Sequence, residues 1–497
     1  MPASPAGTPQ TAELPPQPSG PDPRTRAGAP VPAAPRVAWW AWALAGSLFF
    51  AYLLLSLRIH EQLLSHSFDL GIFVQVVRSY AEGRLPVSEV KGPDFPVLGD
   101  HFSPVLALLA PAYWLWPSAK VLLVAQAGLI AGSVLPLAFW ARRVLGPPAA
   151  AVIAACYGLS WGIAAAVAFD FHEWAFAVPL LVCSLTALGD GRPRAAACWA
   201  LPLVLVKEDM GFTVAAIGLV IAWRGARRLG VATAVAGLLA SVLALLVVLP
   251  AFHPGGLDGY LASHGARSAE QAGTGGGAAQ FVRAWTLGLI TPQEKVTTLI
   301  LVLAPSLFLA LRSPFVLVAL PTLLWRFGSG YPPHWGTGYH YSLLVMPIVF
   351  VAFVDALHRR GTRGPSLHRY LAGCAAVTLL LLPHFPLWQS VRPLTWRDDP
   401  RVEVAHRLMD RIPDGATVQA SDALVPHLAD RAGVSLHGWP DSRPSPQWII
   451  VDTRVAPERR WPLSRVQEAL ALDEARTGGG YRTEAEQDGF VLLRRGS

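Results

Sequence analysis

From Val37 to Trp388 the chain is a succession of apolar stretches, most near the length that crosses a bilayer, parted by short polar motifs or by arginines. No other feature restricts the fold as much. In hydrocarbon the backbone has to satisfy its own hydrogen bonds, so runs of this kind are read as membrane-spanning helices. Composition agrees: 53% of residues are hydrophobic and 15% charged, against about 25% charged in a soluble domain. The mean hydropathy is +0.39.

A formal charge of +7 raises the question of nucleic acid. The arginines answer it, because they cluster between spans, as Arg142-Arg143, the Arg224 to Arg228 group and His358-Arg359-Arg360. That pattern is the positive-inside rule, and no nucleic-acid partner is expected. Cys156, Cys183, Cys198 and Cys374 lie in or beside apolar stretches without C-x-x-C spacing, and read as small core residues.

The expected organisation has three parts. Residues 1–36, rich in Pro, Ala and Gly, read as a disordered cytoplasmic tail without a cleavable signal. Residues 37–391 form a multi-span membrane domain with a first external loop at 58–118. Arg24, Arg26 and Arg36 precede the first span, about Val37 to Leu57, which orients that loop outward. Phe102 to Pro117 is apolar but short and carries Pro104, Pro111 and Pro117, so it is read as an interfacial or re-entrant helix. Spans then begin near Ala119, Ala149, Trp174, Ala195, Met210, Gly230, Lys295, Pro314, Ser342 and His368, about eleven crossings in all. The shortest is Ala195 to Val206.

Residues 392–497 are soluble in composition. Strands are expected at Thr417 to Ser421, Trp448 to Asp452 and Phe490 to Arg494, with helices at Val402 to Arg411 and Ser464 to Asp473. An odd number of spans puts this small α/β domain outside, as a support or acceptor-binding unit. The cell membrane is therefore the expected location, with multiple passes, a cytoplasmic N-terminus and an extracytoplasmic C-terminal domain.

With the arginines inside, five polar motifs fall on the outer side: FDLGIF, GDHFSP, FDFHEW, KED and YPPHWGTGYHY. Asp69 precedes the amphipathic run Leu70, Ile72, Phe73, Val76, Val77, Tyr80, which reads as a helix lying in the membrane interface with its acid at the start. There it serves either as a general base or as a helix cap. Asp100-His101 and Asp170-x-His172-Glu173 bring carboxylates and imidazoles together. They suit sugar hydroxyls, a mutual hydrogen-bond network or a divalent metal ion, although neither spacing is a metal signature. Lys207, with Glu208 and Asp209 beside it, is placed to meet a phosphate as a point charge or to pair with its neighbours. His340 and Tyr341 stand at the entrance of the next span, in an aromatic loop suited to a sugar ring, a lipid head or the interfacial belt. The glycine-rich stretch from His253 to Gln293 reads as a mobile external loop of the kind that covers sites. No Walker loop or dinucleotide fingerprint is present.

The ordered series FDLGIF, GDHFSP, FDFHEW, KED and GYHYS, followed by IPDGATVQASDALVPHLADR and DGFVLLRR, resembles a prokaryotic integral-membrane family known as domain of unknown function 2079. The likeness runs from Trp40 to Arg495. The layout of that family is similar to the C-type glycosyltransferases, which include protein mannosyltransferases and the aminoarabinose transferases of lipid A. The resemblance implies a membrane glycosyltransferase with an acidic first-loop residue, many spans and a polyprenyl-phosphate sugar donor used on the outer face, with an unknown extracytoplasmic acceptor. It matches Asp69 to the first-loop base, Asp100 or Asp170 to a second acidic position and Lys207 to the donor phosphate. The superfamily's first-loop Asp-Glu or Glu-Ala-Arg-Tyr pattern is Asp69-Leu70-Gly71 here. Competing expectations are a transporter or lipid flippase, which would favour polar residues at mid-span, and a noncatalytic membrane scaffold.

Overall fold

The structure, a computed structural model, describes residues 38–261 and 286–496 together with Met1. The expected tail at 1–36, apart from Met1, and the glycine-rich part of the expected covering loop lie outside the described residues.

Among the described residues, six helices are long and apolar enough to cross a membrane: Trp39–Glu61, Lys120–Leu145, Pro147–Ala168, Arg227–Phe252, His340–Arg359 and Gly364–His384. Five shorter apolar helices accompany them: Pro104–Leu115, Trp174–Gly189, Pro193–Leu205, Met210–Trp223 and Pro314–Gly328. Burial sorts centre from rim. The apolar window of His340–Arg359 is 94% buried, whereas those of Gly364–His384 and Arg227–Phe252 are 17% and 28% buried and turn Leu238, Leu239, Leu246 and Leu380 outward. Apolar side chains on an outer face are what lipid solvates, so both are peripheral helices.

One expected span is not a single helix. Gln293–Leu303 is helical, but Pro305 follows and Leu307 and Phe308 take φ of 50° and 60° before the turn Leu309–Arg312. Proline removes a helix donor and the left-handed pair reverses the chain, so the apolar run from Lys295 to Leu311 breaks midway. Pro104–Leu115 is shorter than a crossing and exposes Leu108, Trp114 and Leu115.

Met210–Trp223 and Arg227–Leu243 pack backbone to backbone. A Cβ at Gly211 would lie 2.1 Å from the Gly237 carbonyl oxygen, and one at Gly218 would lie 2.5 Å from the Ala234 nitrogen. Gly230 and Gly237 answer from the second helix with the same seven-residue spacing. Small residues on matched faces are how helices approach closely when lipid offers no hydrophobic drive. Gly211→Leu is therefore expected to separate the pair at the cost of overpacking, about 1–3 kcal/mol or more. Reduced membrane abundance and a lower melting temperature in detergent check this.

The C-terminal sheet has the spatial order Gly433–Leu436, Thr417–Ala420, Trp448–Asp452, Phe490–Arg495, Tyr481–Gln487. The first three strands run parallel to one another, and the last two join antiparallel. The expected strands and helices are all present, the helices as Pro400–Met409 and Arg465–Thr477, the latter opened by a Ser464–Gln467 capping box. Gly433–Leu436 and Tyr481–Gln487 complete the sheet.

This domain corrects the reading of the first loop. Ser67–Gly71 is a single π turn leading into the helix Ile72–Ala81. Leu70, Ile72, Val76 and Val77 do not lie in a lipid interface; they share one core with Val404, Leu408, Val418 and Val425. The apolar stripe was correctly seen, but protein covers it. Polar contacts fix the junction: Gln75 Nε2 donates to the Val434 carbonyl at 2.7 Å, and Arg443 pairs with both Glu89 oxygens at 2.7 Å.

Candidate functional site

Three helices carry the site at one end and arginines at the other. Trp174–Gly189, Met210–Trp223 and Val345–Arg359 begin beside FDFHEW, KED and GYHYS and finish near Asp190, Arg224 and Arg359. The five polar motifs meet at one end of the bundle through named contacts.

Asp69 sits in the π turn, and its Oδ1 meets His172 Nε2 at 3.0 Å. The His172 ring stacks on His340 with centroids 3.4 Å apart, and Tyr341 follows at 4.2 Å from His340. Trp174 stands edge-on to His340 at 5.3 Å and beneath Lys207 at 5.4 Å. Lys207 does not pair with its chain neighbours; its Nζ donates to Glu173 Oε1 at 2.9 Å. Glu208 turns the other way, taking His101 Nδ1 at 3.1 Å and the Phe102 amide at 3.0 Å. Asp100 closes this side against Lys91 Nζ at 2.8 Å and His101 Nε2 at 3.4 Å. Lys207 thus has the Asp69–His172–His340 group on one side and the Asp100–His101–Glu208 group on the other.

Asp170 is buried and takes both the His66 amide, at 2.8 Å, and His66 Nδ1, at 2.7 Å. Its backbone is left-handed, with φ of 52°, and Gln126 bridges its carbonyl and the His172 amide. A strained residue held on several sides is a feature of functional turns. The geometry makes Asp170 a residue that positions His66 and His172. On the far side of the same turn, Asp422 of the C-terminal domain accepts from the Ser67 amide at 2.8 Å and the Ser67 hydroxyl at 2.6 Å.

Charge tunes these groups unequally. Burial alone would raise the Asp69 carboxyl, but His172, His66 and Lys207 outweigh it and hold it below its ordinary 3.8. Burial and the neighbouring Glu208 charge push Asp209 up to about 7. Glu208 is brought down to about 2, against its own burial, by His101 and Lys207. Lys207, which burial would lower, is raised by Glu173, Glu208 and Asp209 and stays an ammonium. An ionised carboxylate, a locked cation and a carboxyl that titrates near neutrality are therefore in one place.

A divalent ion, one of three readings of these motifs, finds no matching donor set among the described residues. Among the described residues no three His, Cys, Asp or Glu side chains are grouped to hold a metal, and the carboxylates of Asp69, Asp170, Glu173 and Glu208 are each turned to a histidine or lysine.

Every sequence-derived site residue lies in this region. His66, Lys91, Gln126 and Asp422 were missed. The first two carried a local signal, standing in the same charged loop; Asp422 stands in the quoted motif IPDGATVQASDALVPHLADR, but nothing there points to Ser67, 355 residues away.

No curated protein matches the chain. Among solved structures, ArnT from Cupriavidus metallidurans bound to undecaprenyl phosphate aligns with a TM-score of 0.55 at 15% identity, covering 92% of this chain and 97% of that one. The apo state of the same protein gives 0.48 at 14% identity over 92% and 97%. The apo Archaeoglobus fulgidus oligosaccharyltransferase gives 0.39 at 14% identity over 79% of this chain and 65% of that one. At these identities the likeness to ArnT concerns the fold, and it bears out the helical membrane architecture with a small sheet domain. A family profile matches residues 59–492. Over that length the chain belongs to the integral-membrane family described as "Predicted membrane protein (DUF2079)".

Proposed function

We propose that the protein is a membrane glycosyltransferase that moves a sugar from a polyprenyl-phosphate carrier to an acceptor on the extracytoplasmic side. One observation carries this reading: an ionised carboxylate, Asp69, and a half-buried ammonium, Lys207, converge at one end of a fold similar to that of ArnT. ArnT was solved with undecaprenyl phosphate, and a ligand of that class suits a site where the lipid stays in the bilayer and the phosphate reaches a cation.

In this mechanism the acceptor hydroxyl attacks the anomeric carbon of the donor. The bond from that carbon to the phosphate oxygen breaks, and the hydroxyl proton passes to Asp69. The departing polyprenyl phosphate keeps the electron pair, and Lys207 offsets its charge. His172 orients Asp69. His340 and Tyr341 form the aromatic wall for the sugar, with Glu173 holding Lys207 in place. Asp100, His101 and Glu208 fix the second edge of the site, and Asp170 supports the turn that presents Asp69. Asp209, when protonated, donates to the phosphate.

The direct test is mass spectrometry of lipids retained by protein purified gently from its native membrane. Wild type is expected to keep a sugar-charged polyprenyl phosphate. The Lys207→Met/Glu173→Gln double variant, which leaves no buried charge alone, is expected to lose it. Bulk phospholipid alone in both would overturn the donor assignment.

A pH dependence follows from Asp209. Its folded value is about 7 against an ordinary 3.8, so the proton it holds near neutrality is lost as pH rises through 7. A second negative charge then faces the donor phosphate, and turnover is expected to fall. Asp209→Asn keeps the side chain neutral and should remove that descending limb. A limb unchanged in the variant would assign it to another group, such as His101, whose value lies above its ordinary 6.5 because Asp100 and Glu208 outweigh its burial.

A further inference from the structure

At the end of the bundle away from Asp69, the helices Trp174–Gly189, Met210–Trp223 and Val345–Arg359 finish around a cavity of about 800 Å³. Leu188, Ile221, Trp223 and Pro314 give it apolar walls, and Arg224, His358 and Arg359 give it a basic rim. Asp355 lies in its lining with a side chain only 3% exposed, bonded to Arg224 at 2.8 Å and to the Ser313 hydroxyl at 2.6 Å, with Arg359 at 3.7 Å. A neighbouring cavity of about 560 Å³ shares Pro193 and Ala226 and adds Arg192, Arg194 and Leu229.

The imbalance is what calls for a ligand. Across the two cavities four arginines line the walls with one carboxylate among them. That carboxylate is already engaged at the buried side, where Arg224 also lies 4.3 Å over Phe315. Toward the opening, Arg192 pairs with Asp190 at 3.2 Å and Arg359 lies 3.7 Å from Asp355, their side chains 63% and 53% exposed, while Arg194 has no carboxylate partner among the described residues, so the rim keeps a net positive charge. Gly191 and Gly225 form part of the lining with φ of 71° and 107°, and a Cβ on either would meet nothing within 4 Å, so the space beside them is open. An apolar wall beneath a guanidinium rim fits an amphiphile whose polar end is an anion. Guanidinium forks match phosphate oxygens geometrically, and basic pockets between membrane helices hold anionic headgroups.

We propose that this groove is a binding site for a phosphate-bearing anion, occupied by the phosphodiester headgroup of an anionic lipid from the leaflet on the arginine side. Its acyl chains lie along Trp223 and Leu229. The site is separate from that of Asp69: the 14-residue helix Met210–Trp223 alone puts about 20 Å between Lys207 and Arg224. The assignment does not depend on the transferase reading.

The test offers the delipidated full chain in detergent an equal mixture of phosphatidylglycerol and phosphatidylethanolamine with the same acyl chains, read by native mass spectrometry. Wild type is expected to prefer phosphatidylglycerol by about tenfold, and Arg194→Gln/Arg359→Gln to lose that preference. Arg224 is left untouched because it neutralises Asp355. Arg369→Gln removes a charge from the exposed face of the Gly364–Leu381 helix without lining either cavity, and should keep the preference. Inorganic phosphate at millimolar concentration distinguishes the source. If it leaves the lipid bound, the headgroup assignment stands; if it displaces the lipid and binds alone, a free phosphate site replaces it. Equal preference in wild type and the double variant, or equal loss in Arg369→Gln, would overturn the proposal.

Discussion

Asp69→Asn is expected to lower turnover of the polyprenyl-phosphate sugar by about a hundred- to ten-thousand-fold, the range a positioned general base contributes. The substitution keeps the size of the side chain and an oxygen for His172 Nε2. What it removes is the group that takes the acceptor proton. Abundance should hardly change, because the turn around Asp69 is held by other bonds: Ser67 to Asp422 and His66 to Asp170. The stability that ionised Asp69 contributes is present above its ordinary 3.8 and is lost as pH falls through its lower folded value. At neutral pH that contribution is present in full and the substitution removes it, so a modest loss of thermal stability should accompany the much larger rate effect. Measuring both in membrane vesicles and in detergent separates the roles. Near-normal turnover with Asn at this position would remove Asp69 as the base and direct attention to His172.

The second large effect is on stability. Glu173 has a side chain only 3% exposed, with Lys207 on one oxygen and no hydrogen-bond partner for the other. Lys207→Met leaves that carboxylate buried without its cation, and breaking such a pair from one side costs about 3–5 kcal/mol. Glu173→Gln should cost less, since Glu208 and Asp209 still attract Lys207. Combining the two substitutions should restore most of the loss. Melting temperatures of the two single variants and the double form the cycle. Simple additivity would mean that the pair is not coupled and that Lys207 is held by other groups.

The sequence carried most of what defines the bundle. Apolar runs of bilayer length gave the helices, and arginine placement sorted the polar motifs to one end, where Asp69 meets His172 and Lys207 meets Glu173. Pairing was less legible than position. Lys207 reaches back to Glu173 instead of to its neighbours because the turn into Met210–Trp223 directs it across to the Trp174 ring. The apolar stripe from Leu70 to Val77 was visible, but period alone does not say whether lipid or protein covers it. That distinction depended on Val404, Leu408 and Val425, hundreds of residues later. The pairing of Asp422 with Ser67 was illegible for the same reason.

That long separation has a consequence for how the protein is made. Ser67 and its partner Asp422 are 355 residues apart. At roughly 5–20 residues per second, the first loop waits roughly 20 to 70 seconds for its cover. Throughout that interval the greasy side of Ile72–Ala81 has only the neighbouring Leu106, Leu109 and Tyr113 to cover it and lacks Val404, Leu408 and Val425. A ribosome that stalls before Val404 to Val425 have emerged would leave an inserted bundle with a sticky, unfinished loop. The order of synthesis thus makes the sheet domain the checkpoint for the first loop.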